Sequence, residues 1–191
     1  MKTSLRVFVA ISVAGFVTVA VFAAEPAAVQ PAAKYEGKDT LLRPEGYREW
    51  VFVGSSSGLR YDKEDGKPQS EKPEYKNVYI DPASYREYVK TKTFPQGTVF
   101  ALESASGETK NEPGLRGSFQ KEFVGLIVAV KDRERFADGW AYFRFTDTPG
   151  KLLDKAKPFA KSACFDCHQQ KGAEDNVFTQ FYPVLRAISK K

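Results

Sequence analysis

The longest apolar run of the chain lies near its start, at residues 7–22, after a short basic segment and before the small residues Ala23 and Ala24. A basic start, an apolar centre and small residues at the end are typical of a secretory signal peptide. We therefore expect residues 1–24 to be removed on export, although the run approaches the length of an uncleaved membrane anchor. Residues 25–40, rich in Ala, Pro and charge, are expected to form a flexible leader.

After residue 40, short apolar segments alternate with polar ones, and the apolar segments predict five strands. The predicted strands cover residues 51–54, 75–80, 98–103, 119–130 and 139–145. The fourth is apolar at its centre without alternation, which indicates burial on both faces. The intervening segments 55–72 and 104–117 are rich in Ser, Gly, Lys and Glu, and they are predicted to be solvated loops.

Helix signals are clearest after the second predicted strand. Asp81 can cap a helix and Pro82 suits its first turn, so a helix is predicted from there to just before Phe94. A short helical turn is predicted at residues 44–50, before the first strand. Residues 131–136 are expected to form a charged turn or a single helical turn.

The last part of the chain has mixed signals. Residues 151–163 have helical composition, and Pro183 interrupts a final apolar segment at 177–188. Five strands with helices at one edge and at the end predict an α+β fold, mainly an antiparallel β-sheet with a few flanking helices. Residues 41–191 have the size of one domain with a single core.

Charge and aromatic content add little to this picture. The formal net charge of +5 falls to +3 without the two positive charges of Lys2 and Arg6, and acidic and basic residues are interspersed. This pattern argues against a nucleic-acid partner. The 15 Phe, 9 Tyr and 2 Trp residues suit a pocket around a flat apolar cofactor as well as they suit a plain β core.

The candidate chemistry lies near the C-terminus, where Cys164, Cys167 and His168 form a C-x-x-C-H sequence. This spacing is the attachment signature of a c-type haem, in which two thiols bond covalently to the porphyrin and the histidine ligates the iron. A disulfide or a redox-active pair is the alternative. Zinc is disfavoured, because the sequence has no other Cys or His to complete a tetrahedral site.

Residues that the sequence lacks bear on the sixth ligand of such an iron. His168 is the only histidine, and Met1, the only methionine, would leave with the signal peptide. The usual second axial ligand of an electron-transfer cytochrome, Met or His, therefore cannot come from the mature chain. We expect an iron that is open or weakly capped and able to bind a small molecule. A Lys or Tyr ligand, or one from a partner chain, is the alternative.

Six segments, spread over nearly all of the mature chain, carry a family resemblance. They are PEGYREWVFVG (44–54), VYIDPASY (78–85), FPQGTVFALE (94–103), VAVKDRERFADGWAYFRF (128–145), ACFDCH (163–168) and NVFTQFYPVLR (176–186). In this order they resemble the cytochrome P-460 family. The resemblance implies a mainly β, usually dimeric, periplasmic protein with one covalently bound haem c near the C-terminus.

Two branches of that family differ above the iron. Cytochrome P-460 proper oxidises hydroxylamine, and it has a lysine cross-linked to the porphyrin and an acidic residue on the distal side. Cytochrome c′-β lacks the cross-link, has an apolar and aromatic distal pocket, and binds nitric oxide and carbon monoxide. Leu102 stands where the resemblance places the lysine, and Ile127 where it places the acid. The sequence therefore resembles the second branch more closely.

The same comparison predicts an apolar distal pocket. Phe100, Phe52 and Phe123 are candidates to pack against it beside Leu102 and Ile127, with ordinary core packing as the alternative for each. Since successive side chains of a strand point to opposite faces, the neighbouring Glu103 is expected to point away from the pocket toward solvent.

We expect a periplasmic cytochrome that binds small diatomic ligands such as nitric oxide, has a periplasmic redox partner and forms a homodimer. The first alternative is a hydroxylamine-oxidising enzyme whose cross-linking lysine lies elsewhere; Lys110 would require a large shift in alignment. The second alternative is an electron-transfer cytochrome. Arg144 and Arg186 are candidates to pair with haem propionates, although a solvated position is the simpler interpretation for each.

Overall fold

The computed structural model describes residues 31–59 and 73–189, so the predicted signal peptide lies outside the described residues. The strands described are β1 (Tyr35–Glu36), β2 (Thr40–Leu42), β3 (Val51–Ser57), β4 (Tyr75–Ile80), β5 (Val99–Glu112), β6 (Leu115–Lys131), β7 (Trp140–Arg144), β8 (Thr146–Thr148), β9 (Lys151–Leu152) and β10 (Lys155–Ala156). The helices are α1 (Pro82–Thr91), α2 (Phe165–Lys171) and α3 (Pro183–Ser189), with 3₁₀ turns at Tyr47–Glu49, Lys161–Ala163 and Thr179–Phe181. The predicted α+β class is confirmed.

The main sheet is an antiparallel meander in the order β3-β4-β5-β6-β7, so neighbours in the chain are neighbours in the sheet. Two small sheets, β1-β2-β10 and β8-β9, accompany it. All five predicted strands are present in this meander, and the predicted turn at residues 44–50 contains the 3₁₀ turn Tyr47–Glu49. The principal strands could therefore be found from apolar patterning alone.

Both faces of the main sheet are covered, so alternate side chains of one strand enter two different cores. In β7, Trp140 and Tyr142 belong to a core shared with the helices, whereas Ala141 and Phe143 belong to a core shared with the N-terminal strands. The burial predicted for both faces of residues 119–130 holds only in part for residues 126–130, where Leu126, Val128 and Val130 are buried and Ile127 and Ala129 are partly exposed. It is wrong for residues 119–122, which are exposed.

A long ribbon formed by β5 and β6 replaces the loop predicted at residues 104–117. The two strands stay paired as far as Glu112 and Leu115. Among the described strands, β4 pairs with β5 only as far as Ala105, and β7 pairs with β6 only as far as Ile127. The outer part of this β5–β6 ribbon, residues 106–122, therefore extends beyond its neighbours in the sheet.

The helix predicted after the second strand is α1, and its cap is the predicted one. Asp81 Oδ1 accepts a hydrogen bond from the Ser84 amide at 2.8 Å, and Asp81 Oδ2 accepts one from the Val99 amide at 2.9 Å. One carboxylate therefore fixes both the start of α1 and the start of β5. The helix ends at Lys92, whose positive φ of 58° turns the chain toward Phe94.

Two other predictions are wrong in part. Within the predicted leader, Tyr35–Glu36 pairs with Thr40–Leu42, and Tyr35 packs against the second core, so order begins before residue 41. Residues 151–163 are not helical. They form β9, β10 and a 3₁₀ turn, because Leu152 and Ala156 are held against the second core by pairing with earlier strands.

The C-terminal segment packs directly on the main sheet. A Cβ atom at Gly54 in β3 would lie 3.2 Å from atoms of Tyr182 and of Pro183, so the absence of a side chain lets α3 approach the strand. Residues 55–57 extend β3 into the segment predicted to be a loop, and residues 60–72 of that segment are outside the described residues. Within the described residues, no helix is sufficiently long and apolar to cross a bilayer.

Candidate haem site

The C-x-x-C-H residues lie on α2, at the edge of the first core. Cys164 is at the N-cap position, and its carbonyl oxygen accepts the His168 amide at 3.1 Å, so His168 lies one helical turn beyond Cys164. Phe165 is buried and fixes the helix to the core. Both thiols are free; Cys167 is exposed and Cys164 is half-buried. No disulfide joins Cys164 and Cys167 in this structure.

The imidazole of His168 is held in one tautomer. Its Nδ1 atom lies 2.8 Å from the carbonyl oxygen of Asn176. Because a carbonyl oxygen can only accept, Nδ1 carries the proton, and the lone pair on Nε2 is left to bind a metal. Burial lowers the pKa of His168, which favours the neutral imidazole. The rings of Tyr142 and Phe178, each 4.4 Å from the imidazole centroid, limit its rotation.

A cavity adjoins this imidazole between the main sheet and the C-terminal segment. The volume within it that the centre of a water-sized molecule can reach is about 50 Å³, and the cavity is continuous with solvent on one side. It is lined by Val78, Phe100, Leu102, Ile127, Ala129, Trp140, Tyr142, His168, Asn176, Val177, Phe178 and Tyr182. None of these described lining residues is acidic, and none is a lysine, so the surface facing the cavity is mainly apolar and aromatic.

The predicted distal residues meet in this cavity. Leu102 in β5 is directly opposite Ile127 in β6, and Phe100 is opposite Ala129. All four line the cavity beside His168, since residues two apart on a strand share a face. Phe52 and Phe123 are elsewhere. Phe52 is 47% exposed and contacts Tyr79, and Phe123 packs against the second core.

Glu103 points away from the cavity, as alternation predicts, but it does not face solvent. Its side chain is 12% exposed and accepts hydrogen bonds from the Tyr47 hydroxyl and, at 2.7 Å, from Arg48 Nε. The buried tyrosine and the arginine therefore share one acceptor atom, Glu103 Oε2. Lys110 lies in the β5–β6 ribbon, paired with Glu108 at 2.7 Å, and it is not among the residues that line the cavity.

Sequence reasoning missed four aromatic residues that line the cavity: Trp140, Tyr142, Phe178 and Tyr182. Tyr142 is 4% exposed, and its hydroxyl has no hydrogen-bond partner among the described residues. Burial is the main cause that raises the pKa of Tyr142, so the hydroxyl keeps its proton and remains a donor. Alternation along β7 could have placed Trp140 and Tyr142 on the face of Phe100 and Leu102, but nothing in the sequence distinguishes that face as the cavity.

The two candidate arginines differ in position. Arg144 is close enough to Cys164 to oppose the rise that burial causes in the pKa of this thiol, and its guanidinium lies 5.6 Å from the Phe159 ring. Arg186 is on α3, where Nη1 donates to the carbonyl oxygen of Gln180 at 2.8 Å. Arg144 is therefore near the attachment residues, and a propionate contact remains a prediction for both arginines.

The donor set fits a covalently bound haem. Two free thiols at the attachment spacing lie on one helix with a neutral imidazole nitrogen, and an apolar aromatic cavity adjoins them. Zinc is a poorer fit, since no cluster of three or more His, Cys, Asp or Glu residues occurs within the described part of the chain.

None of the curated proteins compared with the chain matches it. A family model does match: the cytochrome P460 model covers residues 44–179, which include β3 to β10, α1 and α2. This range contains both cysteines, His168 and the strands that line the cavity. It is more than half of the 191 residues, and the chain belongs to the cytochrome P460 family of haem proteins.

Proposed function

We propose that this protein is an exported mono-haem c-type cytochrome whose iron keeps an open axial position and binds small neutral ligands such as nitric oxide. The observation that carries the proposal is the pairing of Leu102 with Ile127 on the cavity wall. These positions would hold a cross-linking lysine and an acid in a hydroxylamine-oxidising relative, and both are aliphatic here.

Three residues would hold the haem. Each thiol, Cys164 and Cys167, would add across a porphyrin vinyl group, with a new C–S bond formed and the thiol proton passing to the other vinyl carbon. His168 would ligate the iron through Nε2, since Nδ1 is engaged with Asn176. When bound, the haem supplies an iron that coordinates a diatomic ligand.

The cavity wall favours binding over oxidation. Oxidising hydroxylamine removes protons as well as electrons, and a positioned base assists proton removal. No described residue that lines the cavity carries a carboxylate, so this assistance is absent from the lining. An apolar wall excludes water and anions, and it leaves neutral diatomic molecules as the favoured occupants.

A periplasmic location and a homodimer are part of the proposal. The basic and apolar pattern of residues 1–24 supports export. The β5–β6 ribbon supports pairing with a second copy of the chain. An isolated two-stranded ribbon is marginally stable. In addition, Leu115 is 57% exposed and Phe119 is 45% exposed on this ribbon. A periplasmic redox protein would return the iron to its ferrous state.

The proposal is tested by ligand titration of the purified holoprotein. Ferrous protein should bind nitric oxide and carbon monoxide, and ferric protein with an electron acceptor should not oxidise hydroxylamine. An Ile127→Glu variant should weaken carbon monoxide binding by at least about tenfold, since a charge and its water enter the apolar wall. Ile127→Leu, which conserves volume, is the matched control and should bind nearly as well as the wild type.

Steady hydroxylamine oxidation by the wild type would reject the binding role in favour of the enzyme. Failure of the ferrous protein to bind either gas would instead favour an electron carrier whose sixth ligand comes from Lys, Tyr or a partner chain.

A further inference from the structure

A four-residue turn, residues 174–177, presents the carbonyl group that binds His168. The Val177 amide donates to the Glu174 carbonyl at 2.7 Å, and the central residues Asp175 and Asn176 have φ angles of 45° and 63°. Positive φ at both central positions is characteristic of a type I′ turn, and Asn and Asp tolerate it better than most side chains do. In this conformation the Asn176 carbonyl accepts the Nδ1 proton of His168 at 2.8 Å.

The central residue Asp175 is tied to two strands of the main sheet. Its Oδ2 atom accepts a hydrogen bond from Lys131 Nζ at 2.6 Å, and its Oδ1 atom accepts one from Trp140 Nε1 at 3.3 Å. Lys131 is itself fixed, because its side chain is 5% exposed and Nζ also donates to the Phe94 carbonyl at 2.6 Å. The end of β6 and the start of β7 therefore hold the turn through one carboxylate.

The two ends of the turn are also fixed. Glu174 Oε2 accepts the Tyr88 hydroxyl of α1 at 2.5 Å, and Val177 is 5% exposed in the first core. Three elements of the fold thus meet at the turn, and its Asn176 carbonyl binds the imidazole. Moving this carbonyl requires breaking the partly buried Lys131–Asp175 ion pair or a hydrogen bond to a carboxylate.

We propose that Asp175, through Lys131 and Trp140, is a positioning residue that sets the strength of the hydrogen bond at His168 Nδ1. The inference rests on the proposed function, since it takes His168 as the iron ligand. A hydrogen bond from Nδ1–H to an oxygen raises the basicity of Nε2, and a fixed acceptor maintains this effect. With iron bound at Nε2, the turn would therefore strengthen electron donation from His168 and favour the ferric state.

The proposal is tested on holoprotein with two variants and one control. Asp175→Asn removes the charge partner of Lys131 while keeping the shape of the side chain. Tyr88→Phe removes a contact at the other end of the turn, away from the cavity. Asp138→Asn is the matched control, because Asp138 pairs with Lys161 on the surface, at 2.7 Å, and does not reach the turn. The readouts are the iron–histidine stretching frequency by resonance Raman spectroscopy and the reduction potential.

Asp175→Asn should lower the stretching frequency and raise the reduction potential. Tyr88→Phe should change both in the same direction but by less. The control Asp138→Asn should leave the stretching frequency unchanged. An unchanged frequency in folded, haem-loaded Asp175→Asn overturns the positioning role and leaves the proposed function intact. If Asp175→Asn does not fold, an unchanged frequency in Tyr88→Phe overturns it. Absence of an iron–histidine band from the ferrous wild type would instead reject the five-coordinate iron that the proposed function requires.

Discussion

Two buried tyrosines differ in what their hydroxyl groups contact. Tyr88 is 0% exposed and donates to the Glu174 carboxylate at 2.5 Å, whereas the Tyr142 hydroxyl has no partner among the described residues. A hydrogen bond to a charged group contributes about 1.5–3 kcal/mol, and a hydroxyl without a partner contributes nothing of this kind. Replacing each tyrosine by phenylalanine therefore tests how much its hydroxyl group contributes to stability.

Tyr88→Phe should lower the free energy of unfolding of the holoprotein by about 1.5–3 kcal/mol, because the Glu174 carboxylate loses its donor. Tyr142→Phe should lower it by less than about 0.5 kcal/mol. Urea denaturation followed by circular dichroism measures both. A larger loss for Tyr142→Phe than for Tyr88→Phe would mean that the Tyr142 hydroxyl has a partner in the holoprotein, such as the haem or its ligand.

At the scale of residues, the sequence was informative where chemistry depends on short spacing. The attachment motif and the exclusion of Met and a second His needed only the sequence. Family resemblance selected Leu102, Ile127 and Phe100, which line one cavity with His168. Asn176 and Tyr142 could not be selected in this way, because their roles depend on a backbone carbonyl and on a sheet face that only the folded chain defines.

Among the connecting segments, Gly172 determines how closely α2 can approach the turn behind His168. Its φ of −67° is accessible to any residue, so backbone conformation does not require glycine here. Space does. A Cβ atom would lie 2.7 Å from the His168 carbonyl oxygen and 2.9 Å from the Val177 nitrogen, and both are backbone atoms that cannot rotate away.

Gly172→Ala should destabilise the holoprotein by about 1–3 kcal/mol, the usual cost of forcing extra volume into a packed region. It should also lower the iron–histidine stretching frequency, because the turn that holds the Asn176 carbonyl must move. Ala173→Ser, at the exposed next position, is the control. Thermal unfolding and resonance Raman spectroscopy measure the two effects. Wild-type values for Gly172→Ala would show that the turn is not packed against α2.

At the scale of elements, the errors of prediction have a common cause. Residues 104–112 are poor in strand-forming side chains, yet they continue β5 because they stay paired with β6 as far as Glu112, through two shifts of register near Ala105. Residues 151–156 have helical composition, yet pairing with β8 and β2 makes them short strands. In both cases tertiary pairing outweighed local propensity, and a single sequence contains little information about such pairing.

For the whole molecule, the β5–β6 ribbon is the surface that we expect to pair with a second copy. Leu115→Glu combined with Phe119→Glu should convert a dimer to a monomer in light scattering coupled to size-exclusion chromatography, since two carboxylates would enter an apolar contact. Val89→Glu, on the surface of α1 and 41% exposed, is the matched control and should remain dimeric. A dimer that survives the double substitution would place the interface elsewhere.

The architecture of the molecule separates the residues proposed to attach the haem from those proposed to select its ligand. The thiols and the imidazole lie on a helix near the C-terminus, and the wall that a ligand would meet comes from the centre of the antiparallel sheet. Substitutions in the sheet can therefore change the chemistry of the wall while the attachment residues stay in place. Two aliphatic side chains at the paired positions in β5 and β6 are the basis for proposing ligand binding in this member of the family.

The most direct test of this account is the absorption spectrum of the purified ferrous protein, before and after carbon monoxide is added. We predict the spectrum of an ordinary high-spin c-type haem, with a Soret band that shifts when the gas binds. A strongly red-shifted Soret band, as expected from a porphyrin cross-linked to lysine, would contradict the account, and so would a low-spin spectrum that carbon monoxide does not change.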